Sequence, residues 1–308
     1  MTRPHPLDQG CPPAWASGWG EDRFGIYVEF TVAGATQRLR WIEPGSFQMG
    51  SPENEPGRYD DEGPQHPEVI EEGFWLADTP CTQAVWVAVM GENPSRFPSP
   101  DRPVEQVSWE DCREFCRKLG EQIGDPGWRL PTEAEWEYAC RAGATAATYA
   151  GPIVIEGACN APVLHGIAWY SGNSGVNYDL EEAEDSSGWP EKQFEHTQAG
   201  TRSVKTKAPN TWGLYDTLGN VYEWCEDRFG DYPAERVVDP HGPSEGSFRV
   251  IRGGSWSSDA RGVRAAFRNH RDPSDRWISL GFRFARGQFA LQPGAEPRGA
   301  ERPDRGRP

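Results

Sequence analysis

The sequence predicts a loop-rich fold of short strands and few helices, and three observations carry that expectation. Gly (35) and Pro (28) make up about a fifth of the 308 residues, more than a helical protein tolerates. The apolar supply is aromatic, with 14 Trp, 13 Phe and 9 Tyr beside 3 Met. Hydrophobic residues reach only 36%, and no run nears the ~20 apolar residues of a membrane helix. These features exclude a helical bundle, a coiled coil and a membrane protein. The length allows at most about two domains, with a core large enough to fold without disulfides.

The elements follow in chain order. Residues 1–22 hold Pro, Gly and two Trp and read as an irregular lead-in. Two β-rich runs, 24–32 and 37–42, flank Gly34 as a hairpin. Residues 41–49 continue as a strand through Pro44 and Gly45, and the polar, Pro-rich stretch 51–66 reads as a long surface loop. A short helix is expected over 81–90. Ser108 with Asp111 opens a second helix over 109–120, and Thr132 with Glu135 opens a third behind Pro131, both as capping boxes. The last two are the main helices. Residues 151–210 are mostly loop, with an acidic stretch at 179–195. Short aromatic strands follow from Trp212, and 288–308 reads as a disordered tail. Residues 23–287 therefore form the one folded domain.

Seven cysteines, an odd number with no CxxC pair, read as reduced and mostly buried. Cys112 and Cys116 share a helix face, but no further Cys pair or His completes a zinc-like set. No roughly 7–15-residue apolar core opens the chain, so a cytoplasmic protein is expected. The net charge is −16, yet residues 247–308 hold 13 Arg against 6 acids, a net of +7, so the first 246 residues carry −23. Bulk acidity argues against nucleic-acid binding. The basic end remains to be explained.

Seven segments in series carry a resemblance. They are 44–51 (PGSFQMGS), 61–66 (DEGPQH), 103–109 (PVEQVSW), 129–139 (RLPTEAEWEYA), 213–224 (GLYDTLGNVYEW), 252–256 (RGGSW) and 280–283 (LGFR). In order and spacing the chain resembles the formylglycine-generating enzyme (sulfatase-modifying factor) family. The resemblance implies an α+β, C-type-lectin-like fold: a small twisted antiparallel sheet, two main helices and much ordered loop.

The resemblance also implies an activity to be checked residue by residue. The family's oxidases convert a sulfatase cysteine to formylglycine with copper held by two cysteines just beyond the Gly-Gly-Ser motif. Here Ser258 stands at the first position and Val263 at the second. A hydroxyl is a poor Cu(I) ligand and valine is none, so no copper and no catalysis are expected. The related iron-dependent sulfoxide synthases use histidines, and the six His here show no HxxH grouping. His66 reads as a structural hydrogen-bonder.

The basic segment is similar to the variable region of target proteins diversified by retroelements, which put this fold to use in ligand binding. That region opens with Gly-Gly-Ser-Trp and closes with Gly-Phe-Arg, as here. Diversification at adenines of asparagine codons cannot yield Lys, Glu, Gln, Met or Trp. Residues 253–287 lack the first four, while Trp277 departs from the pattern. Arg252, Arg264, Arg268 and Arg283 sit at framework positions, where a guanidinium fork ties carbonyls and carboxylates together. Within 257–279 the candidate contact residues are Ser257, Ser258, Asp259, Arg261, Gly262, Phe267, Asn269, His270, Arg271, Asp272, Asp275, Trp277, Ile278 and Ser279. Arg, aromatic, Asn and Ser side chains are the mixture recognition loops favour. Arg261, Arg271, Arg276 and Arg286 are left as ligand-facing charge, against three Asp.

The family also implies structural calcium (Ca2+), placed here on Asp216, the carbonyls of Gly219 and Val221, and Glu223, oxygen ligands suited to a hard cation. The same acids could simply cap turns. Three readings stay open. The first is a non-catalytic protein binding a protein or peptide ligand, with neither nucleic acid nor membrane as partner. The second is an oxidase or other metal enzyme of the family. The third is a fixed partner domain of a bacterial multi-protein defence or regulatory system.

Overall fold

The computed structural model describes Leu7 and residues 12–287; the expected tail 288–308 lies outside these residues. Strands β2 (Gly25–Val32) and β3 (Ala35–Ile42) form the expected hairpin, with Ala33 and Gly34 at φ 46° and 86°. Such a two-residue turn matches the twist of its strands. The lead-in is not wholly irregular: β1 (Gly18–Asp22) pairs along β2 from Gly18–Glu29 to Asp22–Gly25. Trp15 anchors it, its ring edge-on to Trp75 and Trp128 at 6.5 and 5.0 Å.

The run 41–49 breaks after Ile42, because Pro44 has no N–H to carry a ladder. Beyond it, β4 (Gly45–Met49) joins a different sheet with β5 (His66–Ile70) and β11 (Val237–Val238), in the order β11-β5-β4. The principal sheet continues from β3 through β6 (Phe74–Ala77) to β15 (Ala285–Gly287) and β7 (Trp128–Arg129). The late strand β15 is thus threaded between two early ones.

Three α-helices are present among the described residues, and the two main ones carry the caps expected of them. The three are α1 (Gln83–Met90) behind Thr82, α2 (Trp109–Ile123) behind Ser108 and α3 (Glu133–Arg141) behind Thr132. The boxes Ser108/Asp111 and Thr132/Glu135 are both closed. Each satisfies two otherwise orphan N–H groups. Helices α1 and α2 pack on the principal sheet through aromatic contacts: Trp86 stacks on Phe115 at 5.5 Å, and Phe282 meets both edge-on.

Residues 151–210 are irregular apart from a short 3-10 turn (Pro162–Gly166) and the pair β8 (Glu184–Asp185) and β9 (Gln198–Ala199). The sheet that bears the basic segment has the order β13-β12-β10-β14. Its strands are β10 (Tyr222–Arg228), β12 (Arg249–Arg252), β13 (Arg268–Arg271) and β14 (Leu280–Gly281). The architecture is α+β, but its strands are spread over four sheets rather than gathered in one. Two pairings, β10 with β14 and β11 with β5, are parallel. The 51–66 stretch is also less superficial than expected: Ser51, Glu55, Glu62 and His66 are buried.

Candidate functional site

The four framework arginines explain that burial. Arg264 reaches Glu55 at 2.6 Å and grips Glu62 with both Nη atoms. Arg252 bridges Glu133 and Glu137 of α3, and Arg268 forks onto Glu133 at 2.8 and 2.7 Å. Arg283 forks onto Glu223 at 2.6 and 2.8 Å. Burial disfavours each guanidinium charge, but the facing carboxylates outweigh it and raise all four pKa values. The C-terminal segment is therefore pinned at 252, 264, 268 and 283, and between the pins residues 257–259, 261 and 269–278 reach the surface.

On that display the Tyr222 hydroxyl is central. Ser258 Oγ donates to it at 3.1 Å and accepts from the Ser255 N–H at 2.9 Å. Burial pushes the Tyr222 pKa up, and hydrogen bonds from Ser258 and Asn269 oppose the shift. Arg261 lies 4.1 Å over the Tyr59 ring and donates to the carbonyls of Gly57 and Arg58. Arg271 lies 3.9 Å over Trp277, which is 41% exposed. Ser257, Asp259 and Asp272 are exposed; Asp275 and Ile278 are partly so. Asp272 holds a turn by accepting from Ser274 N and Oγ.

Several expected contact residues are placed elsewhere. Gly262 is buried in the 3-10 turn Ala260–Gly262, its N–H donated to Asp259 Oδ1. Phe267 is 7% exposed because its ring fills the space between Tyr59 and Tyr222. Ser279 is buried where its carbonyl accepts from Tyr222 N. These three support the surface from beneath. His270 is half-buried on the opposite face of β13, against Phe229 and Phe248 at 4.2 and 4.9 Å, since alternate strand residues point to opposite sides. Arg276 and Arg286 are not free charge: they pair with Asp111 and Asp125.

The residues expected to hold calcium do not fit a cation. Both Glu223 oxygens are occupied, by Arg283 and by Trp136 Nε1 at 2.7 Å. Asp216 accepts from Lys205 N and Asn220 Nδ2, and burial pushes its pKa up to about 6. Gly219 lies against the Trp169 backbone, where a Cβ would come within 2.2 Å of the carbonyl oxygen, and Val221 is fully buried. Arg283 supplies the positive charge that a metal would bring. Among the described residues no three His, Cys, Asp or Glu side chains are grouped to hold a metal. The six described cysteines are free, buried, and raised in pKa by burial. His66 is the expected hydrogen-bonder, set between the Pro64 carbonyl and Glu68.

Tyr222 and Tyr59 were not anticipated in the site. The alternation of β10 could have marked Tyr222, one residue before the inward Glu223. Nothing in 51–66 announces that Tyr59 meets a residue some two hundred positions later.

Comparison with known proteins agrees with the α+β fold. The family described as sulfatase-modifying factor enzyme 1-like domain matches residues 29–288. A formylglycine-generating enzyme of Streptomyces coelicolor is 38% identical over 195 residues, 60% of this chain and 53% of that one. A serine/threonine-protein kinase, pkn1 of Chlamydia pneumoniae, is 30% identical over 80% of this chain but 37% of its own length. The chain thus spans about half or less of these two relatives. The solved structure of Treponema denticola variable protein 1 superposes with a TM-score of 0.68 at 29% identity, covering 84% of this chain and 98% of that one.

Proposed function

The chain belongs to the sulfatase-modifying factor enzyme 1-like domain family, and from that premise we propose that it is a non-catalytic recognition protein whose ligand is a protein or peptide. One observation carries the reading. Where the copper-dependent oxidases need two thiolates, Ser258 Oγ is committed to Tyr222 and Ser255, and Val263 is fully buried in apolar surroundings. Neither side chain can hold Cu(I), and the buried described cysteines are poor sources of thiolate.

The face around Tyr222 supports recognition instead. It offers two guanidinium–aromatic stacks, hydroxyl and amide groups, and three aspartates, a mixed surface rather than a basic one. The likeness to a variable protein over nearly its whole length and the residue usage of 253–287 favour diversification by a retroelement. Sequencing the flanking DNA tests this. A reverse-transcriptase gene beside a near-identical repeat of the 253–287 codons, differing at adenines, is the expected finding. Incubation with copper, oxygen and a cysteine-containing sulfatase peptide should yield no formylglycine, and formation of the aldehyde would overturn the reading.

The match to 37% of a kinase's length favours a second reading, in which the fold serves as a fixed recognition module of a larger assembly. An invariant 257–279 segment among related strains, with no template repeat, would select it.

A further inference from the structure

On the opposite side of β13 from the Tyr222 face lies a cleft of about 360 Å³, walled by β4, β5, the start of α3 and the 228–243 segment. This is within the usual size of a small-molecule site. Its sides are apolar, from Met49, Val237 and three prolines, and three buried acids line it: Glu133, already held by Arg252 and Arg268, and Asp227 and Glu68.

Asp227 is 3% exposed. Its Oδ2 accepts from Glu133 N at 2.7 Å, while Oδ1 has no donor and lies beside Gly242, where a Cβ would come within 3.1 Å of it. Burial, reinforced by the charges of Glu133, Glu135 and Glu226, holds its pKa well above the usual carboxylate range. Glu68 is 1% exposed, with Oε1 2.8 Å from His66 Nε2 and Oε2 unpartnered. His66 Nδ1 faces the Pro64 carbonyl at 2.9 Å and must carry a proton. The proton between Nε2 and Oε1 is then shared within the pair, and Oε2 is left as an acceptor.

Arg268 gives its donors to Glu133 and the carbonyls of Gly230 and Asp61, and Arg228 turns one Nη onto the Gly246 carbonyl. The donors that remain belong to exposed His241 and half-exposed Arg228, whereas the buried side-chain oxygen left unpartnered in the lining is a carboxylate, Glu68 Oε2, and buried acids call for a counter-charge. We infer that this cleft binds a compact organic ammonium ion, its nitrogen set against Asp227 Oδ1 and Glu68 Oε2 and its apolar body against Met49, Val237 and the prolines.

Three probes of one shape and different charge test this on the full chain: 2-phenylethylamine, 2-phenylethanol and phenylacetate, followed by calorimetry and by the His66 ring nitrogen signals. The amine should bind saturably and shift the His66 signals, with the alcohol about tenfold or more weaker and phenylacetate silent. Asp227→Asn should weaken the amine about tenfold or more and leave the alcohol unchanged. Should that variant fail to fold, Val237→Trp, which fills the cleft from its exposed strand, should abolish binding of the amine. Phenylacetate binding as well as the amine, or amine binding that survives a folded Asp227→Asn or Val237→Trp, would overturn the assignment. So would no saturable amine binding below about 10 mM.

Discussion

The Arg271 guanidinium lies 3.9 Å from the centroid of the Trp277 ring, so a half-buried cation backs one face of the exposed indole. Stacked Arg and Trp are the usual anchors of a protein interface. For a partner captured with the native chain, Trp277→Ala should cost about 2 kcal/mol or more, roughly 30-fold in Kd by titration calorimetry. The melting temperature should move far less than binding, because the Trp277 ring lies at the surface, 41% exposed. Arg271→Lys should also weaken binding, since an ammonium cannot stack as a guanidinium does.

Arg264→Met is expected to act on stability instead. It leaves Glu55 and Glu62 buried without a counter-charge, a loss of about 3–5 kcal/mol. Urea denaturation followed by tryptophan fluorescence measures it. Lysine should not rescue the variant, because one ammonium cannot satisfy the fork that two carboxylates and the Gly57 carbonyl now share.

Glu105 gives the fold a pH dependence of known sign. It is fully buried, with Oε1 bonded to Phe97 N and Oε2 without a partner. Burial pushes its pKa from 4.5 up to about 8. The folded state therefore keeps a proton that the unfolded chain loses. The contribution is fully present below about pH 4.5 and is lost as pH rises toward 8, at about 1.4 kcal/mol per pH unit. Glu105→Gln should remove this slope, so its stability advantage over the native chain grows from pH 5 to pH 8 in parallel denaturation curves.

Calcium should neither bind nor stabilise. With Glu223 forked by Arg283, equilibrium dialysis and elemental analysis should find no stoichiometric calcium. Adding calcium or a chelator should leave the thermal transition in place. A chelator-induced fall in melting temperature would contradict the reading of this site.

Local signals in the sequence were reliable where one short segment contains the whole physical cause. Ser108 with Asp111 and Thr132 with Glu135 close their capping boxes in place, and the turn at Gly34 needs only its own φ. The framework arginines were legible as a class, yet their partners were not, because a polar loop containing Glu55 and Glu62 looks the same whether solvated or clamped. Burial within the basic segment was equally hidden. Gly262, Phe267 and Ser279 sit among exposed neighbours, and only the Tyr59 and Tyr222 rings decide that Phe267 faces inward. The poor fit of Glu223 to a cation was hidden for a related reason, since Arg283 lies sixty residues from the carboxylate it neutralises.

The late position of the four arginine pins bears on the order in which the chain matures. Glu55, Glu62, Glu133, Glu137 and Glu223 are all synthesised before Arg252, Arg264, Arg268 and Arg283 emerge to meet them. The place of β15 between β6 and β7 stays empty until then as well. A nascent chain stopped near residue 250 thus carries a self-repelling acidic body with an open central sheet. The stretch that offers the recognition surface is also the latch that ends folding, so a copy lacking it should be cleared by proteolysis rather than persist as a half-active fragment.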